Sequence, residues 1–118
     1  MKNNASPDVF DVHLHDFQEK VLDASRQRPI LLDLWADWCP PCVVIAPILQ
    51  QVVKEFAGRI ALAKIEVDEG ENMKIAGRYK VRGFPTIILF QNGEEKGRFS
   101  GARPRHVVEQ FIEEHADF

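Results

Sequence analysis

Two hydrophobic periods alternate along the chain, and each change of period marks a new element. The apolar run from Ile30 to Ala36 is typical of a central strand that is covered on both faces. Apolar residues then recur every three to four positions, which predicts a helix from about Cys39 to Phe56, ended by Gly58. Ile60 to Val67 repeats the pattern of a buried strand. The centre of the chain therefore reads as strand, helix, strand.

Shorter patterns fill the rest of the chain and predict an α/β fold. The order β-α-β-α-β-α-β-β-α implies a central mixed sheet of about five strands flanked by about four helices, with parallel strands first and an antiparallel hairpin after them. Before the central elements, we expect an edge strand within Val9 to Leu14 and a helix to about Ser25 that begins with a capping box of Asp16 and Glu19. After them, we expect a short helix within 69–80 and a strand over Thr86 to Phe90. A type I′ turn at Asn92-Gly93, a strand over Lys96 to Ser100 and a helix from Pro104 complete the pattern.

Three residues depart from these patterns. Asp33 and Lys64 each place a charge inside an apolar strand, where a carboxylate has a raised pKa unless it is paired. A structural buried pair, or two side chains that reach solvent at strand ends, would also account for them. Pro47 lies inside the predicted helix and removes a backbone hydrogen bond, so we expect a kink about one turn beyond Cys42.

Composition and charge narrow the class of protein. With 118 residues, 45% hydrophobic and 28% charged, the chain has the length of one domain, which we assign to 8–118 after a flexible polar arm over 1–7. The net charge of −3 argues against nucleic acid and anionic membranes as partners. Met1 to Phe10 lacks the apolar centre of a signal peptide, and no apolar run approaches the roughly 20 residues of a membrane span. We expect a cytoplasmic protein that is a monomer.

The chain has two cysteines, Cys39 and Cys42, at the junction between strand and helix. In a reducing cytosol, two cysteines so close indicate a pair that cycles between dithiol and disulfide or binds metal. At a helix N-terminus, free N–H groups and the helix dipole lower the pKa of a thiol such as that of Cys39. Pro40 and Pro41 suit the first turn and leave the N–H groups of Cys42 and Val43 to face the sulfur. Cys42, one turn further on, is expected to be less exposed.

Two other readings of the cysteines are weaker. A zinc site normally needs four ligands, and the four histidines neither share a predicted helix face nor lie near the cysteines in the sequence. A structural disulfide across so short a loop would remove little chain entropy. A redox-active dithiol is therefore the favoured interpretation, and no metal ligand is assigned.

Several separated motifs follow one another along the chain: Trp-Ala-Asp-Trp-Cys-Pro-Pro-Cys over 35–42, Ala46-Pro47, Arg82-Gly83-Phe84-Pro85-Thr86, Asn92-Gly93 and Gly101. With these motifs in this order, the chain resembles the thioredoxin family from end to end. The resemblance implies a thioredoxin fold, with a central mixed sheet between helices. It also implies an enzyme that reduces protein disulfides.

Residue by residue, the resemblance assigns roles at the site. It makes Cys39 the nucleophile and Cys42 the thiol that resolves the mixed disulfide. Asp33 matches a buried carboxylate beneath the dithiol that helps to deprotonate Cys42, and Lys64 matches the partner of that carboxylate. Pro85 matches a cis-proline that faces the dithiol. Substrate chains would lie in a shallow apolar groove, whose implied residues are Trp38, Pro40, Pro41, Gly83, Phe84, Pro85 and Gly101.

The resemblance also implies partners but no bound cofactor. The partners are disulfide-containing proteins and a thioredoxin reductase that renews the dithiol. Pro40 is a departure, since the usual dipeptide is Gly-Pro, although Pro-Pro occurs in some thioredoxins and in the related tryparedoxins. The segment from Glu69 to Lys80 is also slightly longer than in typical members. Two alternatives therefore stay open: a dedicated tryparedoxin-like electron donor to a partner such as a peroxidase, and a non-catalytic docking module.

Overall fold

A computed structural model describes residues 7–118, so that 1–6 of the predicted arm lie outside the described residues. A five-stranded sheet forms the centre, in the order β1-β3-β2-β4-β5. Its strands are β1 (Val9–Asp11), β2 (Ile30–Trp35), β3 (Ala61–Glu66), β4 (Thr86–Gln91) and β5 (Glu94–Ser100).

The sheet is mixed, as predicted. Both β1 and β2 run parallel to β3, whereas β4 runs antiparallel to β2 and to β5. The hairpin between β4 and β5 turns at Asn92 and Gly93, whose φ angles of 57° and 80° are the pair of positive values that a type I′ turn requires. The strand β5 begins two residues earlier than expected, at Glu94.

Three α-helices and an irregular helical segment cover the two faces of the sheet. The helices are α1 (Pro40–Glu55), α2 (Met73–Arg78) and α3 (Arg105–His115). Because successive strand residues point to opposite faces, Leu31 and Leu32 belong to two different apolar clusters. The cluster of Leu31 contains the buried apolar side chains of α1 beyond Cys42 and those of α3. The cluster of Leu32 contains those of α2 and of the N-terminal helical segment, together with both cysteines.

The N-terminal helical segment differs from the expected helix. It consists of a 3₁₀ turn (Leu14–Asp16), a π-helical stretch (Gln18–Asp23) and a second 3₁₀ turn (Ala24–Arg26). The predicted capping box of Asp16 and Glu19 is wrong, because the segment already begins at Leu14. The Asp16 carboxylate instead accepts the backbone N–H of His13 at 2.8 Å, from the third position of the turn.

The helix α1 positions the cysteines. It begins at Pro40, with Cys39 as the capping residue in an extended conformation, and it runs through Pro47 to Glu55 as one helix. The chain then leaves through Ala57 and Gly58, both with positive φ. The bend expected at Pro47 stays a prediction. Cys39 thus lies where the chain passes from β2 into the first turn of α1.

Candidate redox site

Cys39 and Cys42 are joined by a disulfide, with their Cα atoms 5.3 Å apart. Both residues are almost fully buried in this oxidised form, since 4% of Cys39 and 2% of Cys42 is exposed. Cys42 is therefore less exposed than Cys39, as expected, but the two exposed fractions differ little. A partner can reach the disulfide only across the exposed residues that border it.

The first turn of α1 surrounds the Cys39 sulfur as the sequence suggested, with one difference. The backbone N–H of Cys42 is shared between two acceptors, the Cys39 carbonyl oxygen at 3.0 Å and Cys39 Sγ at 3.3 Å. The N–H of Val43 donates to the same carbonyl oxygen, at 3.3 Å. Pro40 is exposed and Pro41 is half-buried, and neither has an N–H group. One backbone donor, rather than two, therefore faces the sulfur.

Asp33 is a buried carboxyl group in the strand that leads into the dithiol. Only 1% of it is exposed, and its Oδ1 has no hydrogen-bond partner among the described residues. Burial raises its pKa to about 7, against the opposing field of Lys64. An apolar strand position thus holds a group that gains and loses a proton near neutral pH.

Lys64 lies directly opposite Asp33 in the parallel register of β2 and β3. Its ammonium group lies 5.3 Å from the centre of the Trp35 ring, a distance typical of a cation–π contact. Lys64 is half-buried and lines a pocket of about 290 Å³ with Asp11, Glu66 and Glu69, among others. Its positive charge therefore acts on Asp33 from the neighbouring strand.

Trp38 is exposed, as the sequence predicts, yet its indole has two neighbours that fix it. Although 61% of the residue is accessible, its Nε1–H donates to a carboxylate oxygen of Asp68. Its ring also packs against the Phe84 ring in a T-shaped arrangement, with the centroids 6.1 Å apart. Trp38 and Phe84 therefore form an apolar surface beside the dithiol.

The loop before β4 forms the second part of that surface. The peptide bond between Phe84 and Pro85 is cis, as expected from the resemblance. The Pro85 carbonyl oxygen accepts the N–H of Gly101 at 2.9 Å, and the Thr86 hydroxyl donates to the Gly83 carbonyl oxygen at 2.6 Å. These bonds bring together the loop residues that the sequence assigned to the groove.

Two residues near the site escaped the sequence interpretation. Asp68 lies two residues beyond the end of β3, and a polar residue close to a strand end is a signal that could have indicated it. Asn72 gives no local signal, yet it is 2% exposed and its Oδ1 accepts the Leu14 N–H at 2.8 Å. Its Nδ2 donates to the Glu66 carbonyl oxygen at 3.0 Å. Asn72 thus ties the start of the helical segment to the end of β3.

Two features are absent from residues 7–118. No three His, Cys, Asp or Glu side chains there lie close enough to hold a metal ion. No helix in the same range is both long and apolar enough to cross a membrane.

The fold and the site define a class: a mixed α/β domain with a Cys-X-X-Cys disulfide at the start of a helix and a cis-proline loop. The family model of thioredoxin matches residues 8–114. A thioredoxin of Chlorobaculum thiosulfatiphilum is 34% identical over 90% of this chain and 94% of its own length. A thioredoxin of Haemophilus influenzae is 36% identical over 88% of this chain and 95% of its own length. The chain belongs to the thioredoxin family.

Some relatives are longer than this chain. The chloroplastic M-type thioredoxin of Spinacia oleracea is 37% identical over 96% of the chain but over only 60% of its own length. Thioredoxin M4 of Arabidopsis thaliana, also named chloroplastic, is 41% identical over 92% of the chain and 54% of its own length. The chain thus spans little more than half of these two proteins.

Proposed function

We propose that this protein is a protein-disulfide reductase that cycles Cys39 and Cys42 between dithiol and disulfide. The observation that carries the proposal is the disulfide at the N-terminus of α1, in a chain of the thioredoxin family. An N–H group already directed at Cys39 Sγ would stabilise a thiolate there after reduction.

The first step is attack by the Cys39 thiolate on a substrate disulfide. A sulfur–sulfur bond forms between Cys39 and the substrate, and the substrate disulfide breaks and releases one thiolate. In the second step, the Cys42 thiolate attacks Cys39 Sγ. This step frees the second substrate thiolate and leaves Cys39 and Cys42 as a disulfide, so two electrons have passed to the substrate.

Asp33 is the base that this proposal assigns to Cys42. A general base works best when its pKa lies near the working pH, and burial brings the pKa of Asp33 to about 7. Lys64, opposite Asp33 in the sheet, would favour the charged form of the carboxylate between turnovers. We therefore assign Asp33 and Lys64 to proton transfer rather than to a structural ion pair.

Substrate chains would bind on the apolar surface of Trp38 and Phe84, with Pro40, Pro41, Gly83, Pro85 and Gly101 around it. The two aromatic rings offer apolar contact, and the backbone next to Pro85 would offer hydrogen bonds to an extended chain. The partners we assign are disulfide-containing proteins and a thioredoxin reductase. Because the only two cysteines form a redox pair, the protein suits a reducing compartment, and we assign it to the cytoplasm. We also assign it as a monomer with one domain over 8–118.

A reduction assay tests the proposal and its residue roles. Wild-type protein should reduce insulin with dithiothreitol as electron source, and Cys39→Ser should abolish this activity. Cys42→Ser should instead accumulate a covalent mixed disulfide, visible on a non-reducing gel, because the resolving thiol is missing. Normal turnover by Cys42→Ser would show that the roles are wrong. If the wild-type protein shows no turnover, the docking module is favoured. If dithiothreitol supports turnover but a thioredoxin reductase with NADPH does not, the dedicated electron donor is favoured.

A further inference from the structure

The outer face of α1 carries an apolar strip in the two turns that follow the dithiol. Pro40, Val43, Val44 and Pro47 are spaced so that they share one side of the helix, and we call them the outer strip. All four are exposed, Val43 by 62% and Val44 by 57%. Further along α1, the exposed residues are polar: Gln50, Gln51, Lys54 and Glu55. The apolar character therefore stops after the two turns nearest the disulfide.

Folding does not explain the outer strip. A β-branched residue loses rotamer freedom in a helix and has a lower helix propensity than Gln or Lys. At these exposures, Val43 and Val44 gain little from burial in return. A contiguous exposed apolar strip of this kind, unlike scattered single apolar residues, is typical of a surface that another protein covers.

The outer strip is continuous with the reactive sulfur. Pro40 follows Cys39 directly and Val43 follows Cys42, while both cysteines are almost completely buried in the oxidised form. A protein that delivers electrons meets this oxidised form. To reach the disulfide, it has to contact the exposed residues on its border, Trp38 on one side and the outer strip on the other.

Negative charge beside Trp38 indicates which charge the partner carries. Asp37 precedes it and Asp68 accepts its indole N–H, and both carboxylates are exposed. Glu66 lies close to both: burial and the neighbouring charges of Asp37, Glu69 and Asp68 raise its pKa. We call these four carboxylates the acidic rim. A partner on the outer strip would face this rim with lysine or arginine side chains.

We propose that the outer strip is the docking surface for a folded, NADPH-dependent thioredoxin reductase, whose basic side chains face the acidic rim. A helix face is convex, so a concave surface of a folded protein fits it better than a short extended peptide does. The inference rests on the proposed function, since it identifies the surface used by the reductase. In that reaction, a reductase thiolate attacks Cys39 Sγ and Cys42 leaves as a thiolate. The second reductase thiol then attacks the mixed disulfide and releases Cys39 as a thiolate, and NADPH supplies the two electrons that restore the reductase dithiol.

The experiment compares a protein reductant with a small one. Oxidised wild-type protein and the double variant V43Q/V44Q are each reduced by dithiothreitol and, separately, by a thioredoxin reductase with NADPH. We expect kcat/KM with the reductase, divided by the rate constant for dithiothreitol, to fall at least fivefold in the variant, mainly through KM. The double variant Q50S/Q51S, on the same helix beyond the outer strip, should keep the wild-type ratio. Circular dichroism checks that both variants are folded.

The charge is tested in the same assay. Wild-type kcat/KM with the reductase should fall as salt rises from about 20 to 300 mM, because screening weakens steering. The variant D37N/E69Q should show a shallower fall. An unchanged ratio for V43Q/V44Q overturns the proposal, as does wild-type protein that dithiothreitol reduces but the reductase does not. Failure to reduce insulin, even with dithiothreitol, would instead overturn the proposed function.

Discussion

The indole N–H of Trp38 donates a hydrogen bond to the Asp68 carboxylate, which joins the loop before α1 to the end of β3. An exposed tryptophan is thereby held by a carboxylate and by T-shaped packing against the Phe84 ring. The apolar surface beside the dithiol is thus preorganised by a charged residue that belongs to neither cysteine motif nor proline loop. Preorganisation lowers the cost of binding.

Asp68→Ala should loosen Trp38 without unfolding the domain. The hydrogen bond is exposed, so we expect a loss of no more than about 1 kcal/mol in the free energy of unfolding. KM for insulin should rise two- to fivefold, and the fluorescence anisotropy of the tryptophans should fall. Asp37→Ala is the matched control, because it removes the same charge and leaves the acceptor of the indole in place. Equal effects from both variants would assign the change to charge alone.

Asp33 should make stability depend on pH. Its pKa rises from the ordinary 3.8 to about 7 on folding, so the folded state holds a proton that the unfolded state releases. The contribution of Asp33 protonation to the free energy of unfolding is therefore fully present below about pH 3.8, and it is lost as pH rises to about 7. It amounts to up to about 4 kcal/mol, since one pKa unit is worth about 1.4 kcal/mol.

The measurement is urea unfolding of oxidised wild-type protein and Asp33→Asn from pH 4 to 8. The variant should gain stability relative to wild type as pH rises through this window, because its amide cannot ionise. Lys64→Gln should move the upper end of the window above pH 7, since it removes the field that opposes the shift. A difference between wild type and Asp33→Asn that is independent of pH would contradict the assignment.

Asn72→Ala should destabilise the domain. It removes the acceptor of the Leu14 N–H and the donor to the Glu66 carbonyl oxygen, and it leaves two backbone groups without these partners. We expect a loss of about 2–4 kcal/mol in the free energy of unfolding. Asn72→Asp keeps the acceptor and should recover part of the loss, although its charge lies near Glu66. A loss below about 0.5 kcal/mol for Asn72→Ala would show that water replaces both bonds.

The Pro40-Pro41 dipeptide predicts a reducing protein. It supplies no histidine or other cation that would over-stabilise the Cys39 thiolate, so the potential should lie nearer the roughly −270 mV of thioredoxin than the −120 mV of DsbA. Equilibration with glutathione, followed by thiol alkylation and mass measurement, determines the value. A potential above about −180 mV would be incompatible with this prediction.

Local patterns predicted the elements that carry the chemistry. The apolar run that gives β2, the helical spacing of α1 and the Asn92-Gly93 turn each contain their own signal, and the structure differs from them by one or two residues at the ends. The exposed Trp38 was also predicted, from the prolines at a helix start. The cis bond at Pro85 came from family resemblance, because most such bonds are trans.

The parts that sequence could not predict depend on contacts between distant segments. Asp16 looked like a helix cap, but the segment starts earlier because Asn72, 58 residues further on, accepts the Leu14 N–H. The π-helical stretch that follows has no local signature in the sequence either. Likewise, the indole of Trp38 finds Asp68 only after β2 and β3 have paired, so the sequence marked the surface but not what holds it in place.

The strand order of the sheet has a consequence for synthesis. The strand β2 lies between β3 and β4, both of which come later in the chain, so one of its edges has no partner until Gln91 has been made. During translation, Cys39 and Cys42 therefore emerge long before the sheet that buries them is complete. For that interval they are ordinary accessible thiols, open to any oxidant or metal in the compartment. The two sulfur atoms that carry out the proposed redox chemistry are thus shielded by strands that are made well after them.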